Sequence, residues 1–327
     1  MSLEAILAAL PSRGRVECTL ERITAPIPSQ ERELERARRA MTESGRRGEE
    51  LRQGMVEEER WLGVLSGGSR WIMERVYEWS EEGFHLRESG RLGGLPLPAV
   101  QEYAKDFYLY RGDSYTLTPG QAFAFAYIEP GNAIQEGSFT EGILFRNVSL
   151  RSQLDLSTAV VQPVGEQVVL AARFARPEPG SRWYFQPPFR VEIRCDPAKG
   201  FLPVDIQVYR GSGSRLVEWD RIEAFHEVGG AYFPARVVVQ RFYGLPGMVS
   251  MEDRIEVREA RLGPEAPVEV VPKAAVRMHV NDGRGLQRRT YGLEAGKGFP
   301  PGPPLWKRLL IRTWRRATRP RPRDKGV

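Results

Sequence analysis

Only two cysteines and three histidines occur among 327 residues, and that scarcity removes several kinds of chemistry at once. Two thiols cannot make a disulfide framework, and Cys18 and Cys195 fall at alternating positions of predicted strands, the placement of small buried residues. His85, His226 and His279 stand away from both cysteines, and none begins a His-x-x-x-His pair, so no metal site is read. No cofactor is read either. Gly-x-x-x-x-Gly-Lys-Ser/Thr and Gly-x-Ser-x-Gly are absent, and Gly90 to Gly94 lacks the spacing of a dinucleotide fingerprint. There is no run of about 18 apolar residues to span a bilayer. Met1 to Leu10 has neither the basic start nor the long apolar centre of a secretory signal. It reads as a short amphipathic helix with Leu3, Ile6, Leu7 and Leu10 on one face.

What the chain does have is alternation. Phe189, Val191, Ile193 and Cys195 point one way, and Arg190, Glu192, Arg194 and Asp196 the other, the period of a half-buried strand. Pro197 to Gly200 supplies a turn. Val204, Ile206 and Val208 then alternate with Asp205, Gln207 and Tyr209, and Gly211 to Ser214 closes a hairpin to the strand Leu216 to Val228. After Gly229-Gly230, the run Ala235 to Tyr243 is apolar on both faces around Val237, Val238 and Val239, as in a strand covered on two sides. Met251, Ile255 and Val257 oppose Glu252, Arg254, Glu256 and Arg258, which predicts one wet face. Such a sheet needs a cover.

The formal net charge of +6 suggests a nucleic-acid binder until it is located. Residues 305–327 hold nine Lys or Arg and one Asp, a net of +8, which leaves the rest of the chain at −2. Nucleic-acid binding is therefore not expected of the body. In the tail, Trp306, Leu309, Leu310, Trp314 and Ala317 form one helical stripe, and Lys307, Arg308, Arg312, Arg315 and Arg316 occupy the remainder. A basic amphipathic helix with Trp at its edge lies on anionic membranes or acidic partners. The bland alternative is a solvated, solubilising tail.

A second charged stretch follows Pro28-Ser29 and runs to Trp61. Leu34, Ala37, Met41, Ser44, Gly48, Leu51 and Met55 keep heptad spacing, with a break expected at Gly45 and Gly48. It is read as a lid helix with a narrow apolar edge. Arg111-Gly112-Asp113 matches an adhesion tripeptide but lies between alternating apolar residues, where it is first a hairpin turn. Asp220 and His226 are six residues apart on one predicted strand, hence on one face, and form the only acid–base pairing to weigh for a hydrolase.

Gly200-Phe201-Leu202-Pro203-Val204, Trp219 to Glu223 and Glu227 to Arg236 resemble the later hairpins of the LolA-like, lipoprotein-sorting superfamily in its divergent planctomycete type. Val280-Asn281-Asp282-Gly283-Arg284-Gly285 is similar to that group's Val-x-Asp-x-Arg-x-Gly ending. The resemblance implies an α+β fold: a large antiparallel sheet curled into an incomplete β-barrel, covered by helices. It also implies an apolar cavity for acyl chains and a place in the periplasm or cell envelope, whereas a chain starting at Met1 without a signal would be cytoplasmic. The expected organisation is a half-barrel domain over residues 1–295 with a charged helical insertion at about 29–62, a Pro/Gly linker at 296–304, and the basic tail at 305–327. The expected function is non-catalytic carriage of a lipid, lipoprotein or other apolar ligand on inward residues such as Ile193, Ile206, Val208 and Val237. The alternative is a scaffold whose Trp306, Lys307, Arg308, Arg312, Trp314 and Arg315 contact a membrane or acidic partner peripherally.

Overall fold

A computed structural model of the chain describes residues 4, 6, 12–25, 35, 38, 39, 41, 42, 48, 51, 52, 55, 56, 69–93, 103–111, 113–118, 124–130, 139–145, 150–175, 189–210, 215–242, 249–285 and 289–303. Its strands are β1 (Gly14–Thr24), β2 (Ser69–Ser80), β3 (Gly83–Gly93), β4 (Tyr103–Tyr110), β5 (Asp113–Thr118) and β6 (Ala124–Pro130). After two short helices, α1 (Phe139–Phe145) and α2 (Leu150–Gln153), come β7 (Leu154–Val164), β8 (Gln167–Phe174), β9 (Phe189–Asp196), β10 (Leu202–Arg210) and β11 (Arg215–Val228). The chain ends with β12 (Ala231–Arg241), β13 (Met251–Leu262), β14 (Met278–Asp282) and β15 (Arg289–Leu293). All of them join one sheet, ordered β15-β14-β6-β5-β4-β3-β2-β1-β13-β12-β11-β10-β9-β8-β7.

The order follows from short connections. β1 lies in the middle, β2 to β6 meander off one side, and β7 to β13 meander back from the far edge until β13 pairs with β1. Each of these neighbours is antiparallel, as hairpin connections require. The Gly229-Gly230 hairpin is an instance: both residues have positive φ, 59 and 79, the type I′ geometry that matches strand twist and suits glycine. Two long crossovers break the meander. Between β6 and β7, α1 lies on one face of the sheet. Between β13 and β14 the chain passes over the other, and β14 then pairs parallel to β6, an arrangement a tight hairpin cannot reach.

The edge strands β7 and β15 do not meet, so the sheet stays open. Helical cover is slight, and the α+β expectation holds only in part: α1 and α2 are seven and four residues long. In the expected lid, Met41, Leu51 and Met55 are helical and half-buried while Glu35, Arg38, Arg39 and Thr42 are helical and exposed. Gly48 has φ 56 at the expected break. From the first ten residues, Ile6 is helical and joins the main core. No helix among the described residues is long and apolar enough to cross a membrane.

The main core occupies what is here the inner face. Val16, Cys18 and Leu20 from β1 meet Tyr77 and Trp79 from β2, Ile193 from β9, Ile206 and Val208 from β10, and Phe233, Val237 and Val239 from β12. Ile143, Leu144, Phe145 and Leu150 of the first crossover complete it, and burying each such side chain contributes roughly 1.5–3 kcal/mol. Phe145 stacks on Tyr77 at 5.2 Å and meets Phe233 edge-on at 5.9 Å, which fastens α1 to strands on both sides of β1. Gly14 has no freedom here, since a Cβ on it would lie 2.5 Å from the Trp79 ring.

A smaller core lies on the outer face at the β4–β6 end. Tyr108, Tyr115, Leu117, Ala126 and Ile128 pack there against Ala274, Met278, Val280 and Leu293, with Phe299 alongside. Phe299 belongs to the segment read as a linker. Gly298 of the same segment bridges Lys273, and the Pro300 carbonyl accepts a hydrogen bond from Arg284.

His85 sits under this outer cover, 1% exposed. Its Nδ1 lies 2.9 Å from Glu78, its Nε2 lies 3.0 Å from Asp106, and the Tyr108 ring stacks on it at 3.9 Å. Burial pulls the imidazole pKa down, but the carboxylates of Asp106 and Glu78 outweigh that and raise it above the ordinary 6.5. A proton held more tightly in the folded state stabilises fully below the unfolded pKa, and that stabilisation is lost as pH climbs through the folded one. The stability difference between the native chain and His85→Gln should thus be larger at about pH 5.5 than at about pH 9 in denaturant titrations. A difference independent of pH would refute a charged His85.

Candidate functional site

The inner face is where chemistry and shape coincide, because it is apolar at large yet crossed by buried charges under α1. On one side of α1, the Arg75 guanidinium donates from Nε to Glu88, and from Nη1 to Glu141 at 3.1 Å and to the Tyr77 hydroxyl at 3.0 Å. The Tyr77 hydroxyl donates to Glu141 at 2.6 Å. Both Arg75 and Glu141 are almost wholly buried. Burial alone would lower the pKa of Arg75, but Tyr77, Glu141 and Glu88 raise it and hold the cation charged.

On the other side of α1, Arg241 donates to Glu218 at 3.1 Å and lies 3.7 Å from Asp253. Asp253 in turn receives two hydrogen bonds from Arg22, at 2.7 and 2.9 Å. Beside them Asp220 is fully buried and accepts a hydrogen bond from the Thr140 backbone N–H, at 3.2 Å. Among the described residues, its Oδ1 and the Thr140 hydroxyl have no hydrogen-bond partner. Burial first, then the neighbouring Glu218 charge, pushes the Asp220 carboxyl well above the usual carboxylate range. Thr140 and Glu141, adjacent on α1, thus touch both clusters.

These contacts join residues 64 to 80 positions apart, and pattern reading did not find them. A buried arginine looks the same in sequence as one in water. The pairing weighed for catalysis is divided by burial. Two register shifts in β11, between Ile222 and Phe225, offset each other, so that His226 pairs with Phe233 as Asp220 pairs with Val239. Asp220 is nevertheless buried in the core, whereas His226 is exposed and lies 3.1 Å from the Val257 carbonyl oxygen. The thiols of Cys18 and Cys195 are both pushed up to about 12 by burial, which leaves them protonated and unreactive at neutral pH.

Ile193, Ile206, Val208 and Val237 all lie on the inner face, each with zero exposure. The sheet brings these four together in one cluster. Beyond α1 the inner face continues through Phe107 and Leu109 of β4, both half-buried, and emerges at Phe125 and Tyr127 of β6, 44% and 46% exposed. Trp306, Lys307, Arg308, Arg312, Trp314 and Arg315 lie outside the described residues. Arg111 takes the left-handed φ of 49 after β4, and Asp113 is buried against Arg284 at 3.4 Å, so the Asp113 carboxylate is not displayed to solvent.

No family model matches the chain, and no curated protein does. Among solved structures it is similar to a DUF1329 family protein from Desulfovibrio piger, at 10% identity over 81% of this chain and 91% of that one, with a TM-score of 0.43. It is also similar to a LolA superfamily protein from Nitrosomonas europaea, at 12% identity over 80% and 92%, with a TM-score of 0.40. The likeness spans most of each chain but is low in identity and in score. At such scores it extends to no ligand and no activity.

Proposed function

We propose that the chain is a non-catalytic carrier that holds the acyl chain of a lipid or lipoprotein against the inner face of its sheet. The observation that carries this reading is the pair of exposed aromatics at the open end of that face. The face runs from the fully buried Ile193, Ile206, Val208 and Val237, past α1 and the polar Ser114 and Thr116 of β5, to Phe125 and Tyr127. Soluble domains seldom leave two neighbouring aromatic side chains open beside a core without a use for them. An acyl chain enters there and extends inward as the cover over the core gives way. The resemblance of the later hairpins implies the same ligand class.

Native mass spectrometry of the gently purified full-length protein, with lipid extraction, tests the reading, together with titration of a fluorescent fatty acid. A stoichiometric acyl ligand or saturable uptake is expected. Phe125→Asp with Tyr127→Asp should weaken uptake about tenfold while leaving the melting temperature nearly unchanged, because both positions are exposed. A clean apo mass together with no saturable uptake overturns it.

A further inference from the structure

The opposite face of the sheet holds a different kind of site. Where β2, β1, β13, β12 and β11 run side by side, a pocket of about 580 Å³ opens to solvent, well within the size of small-molecule sites. Its lining includes the apolar side chains of Ile72 and Val238 and four arginines. Three of these are committed: Arg70 bonds Glu21, Arg254 lies 2.7 Å from Glu252, and Arg236 lies 3.8 Å from Glu256. Arg221 is the exception. Among the described residues no carboxylate comes within ion-pair distance of it. Its guanidinium carbon instead rests 4.9 Å from the centroid of the Trp219 ring, and its Nε is buried with no hydrogen-bond partner. Trp219 is itself anchored, donating from its indole nitrogen to Asp205 at 2.6 Å.

A guanidinium stacked on a fixed aromatic ring is oriented in advance, and Arg favours planar, two-pronged pairing with carboxylates. A buried N–H left without an acceptor is destabilising, and an incoming acceptor offsets that. Four glutamates share the wall with the arginines, so a compact single negative charge fits and a phosphate dianion is repelled. We propose that this outer pocket binds an amphiphilic carboxylate, the charged end on Arg221 and the apolar body over Ile72 and Val238. The site is separate from the inner face and does not depend on the carrier reading.

The test uses the full-length protein and decanoate, with decanol and inorganic phosphate as controls. The readout is the Trp219 indole N–H resonance, assigned through Trp219→Phe. Decanoate should move that resonance saturably, whereas decanol and phosphate should bind at least about tenfold more weakly. Arg221→Gln should weaken decanoate about tenfold, Arg221→Lys less so, and Glu223→Gln should strengthen it a few-fold by removing a repelling charge. The proposal is overturned if decanol matches decanoate, or if Arg221→Gln leaves binding unchanged. It is equally overturned if decanoate displaces the fluorescent fatty acid while the Trp219 resonance stays still. That last result would place the probe on the inner face and leave the carrier reading standing.

Discussion

Arg75→Met is expected to cost about 3–5 kcal/mol, the effect of removing one partner from a buried ion cluster. The substitution keeps most of the side-chain volume, so the loss is electrostatic: Glu141 and Glu88 stay buried without the Arg75 charge, and the Tyr77 hydroxyl loses a donor. Because α1 is attached through Glu141, the cover over the inner face should loosen with it. Denaturant midpoints of the full-length protein measure the cost. Adding Glu88→Gln and Glu141→Gln to Arg75→Met should recover most of it, since the uncompensated charges are then gone. A single-variant cost below about 1 kcal/mol would show that the cluster is solvated and that α1 is held by its apolar residues alone.

Arg284→Met should have an effect of similar size, about 3–5 kcal/mol, but in a different place. Arg284 is 2% exposed and makes two hydrogen bonds to Asp282, at 2.9 and 2.7 Å, with further contacts to Asp113, the Tyr115 hydroxyl and the Pro300 carbonyl. Burial opposes the charge, yet the Asp282 hydrogen bonds and the nearby Tyr115 and Asp113 raise its pKa further above the ordinary arginine value. One planar group thereby ties β14, β5 and the segment after β15 together. Amide exchange across β14, β15 and Gly298–Phe299 should accelerate about a hundredfold in the variant, while β9 to β12 keep their protection. Arg284→Lys should rescue little, because an ammonium cannot serve acceptors spread around a plane. Unchanged exchange in β14 would mean that pairing with β6 is sufficient by itself.

The two arginines illustrate what can and cannot be seen in a linear chain. The alternation from Phe189 to Leu262 announced the strands β9 to β13, because a period of two is written in adjacent positions and needs no partner to be read. Val237 to Val239, apolar on both sides, became the strand whose inward valines enter the core and whose Val238 lines the outer pocket. The ending Val280 to Gly285 was legible as a motif, but only as a turn. That its Asp282 and Arg284 form a buried clamp depends on β5, some 170 residues earlier. An Asp-x-Arg pair at the end of a strand was the one local sign of it.

The candidate site was half legible. Its apolar wall could be named residue by residue, whereas Arg75, Glu141, Asp220 and Arg241 could not, because charged residues in strands are ordinarily solvated and nothing nearby in sequence marks them otherwise. The free arginine of the outer pocket was equally hidden, since whether Arg221 meets a carboxylate is settled by its neighbours on β10 and β12. By itself the sequence determined which residues alternate, where the turns fall and that the positive charge sits in the tail, all consequences of local geometry and composition. Only the tertiary structure decided the rest. The pairing of β11 left Asp220 in the core and His226 exposed, and two crossovers chose which charges would be buried. Both depend on contacts between strands distant in the chain, where a one-residue shift in pairing moves a side chain from core to solvent.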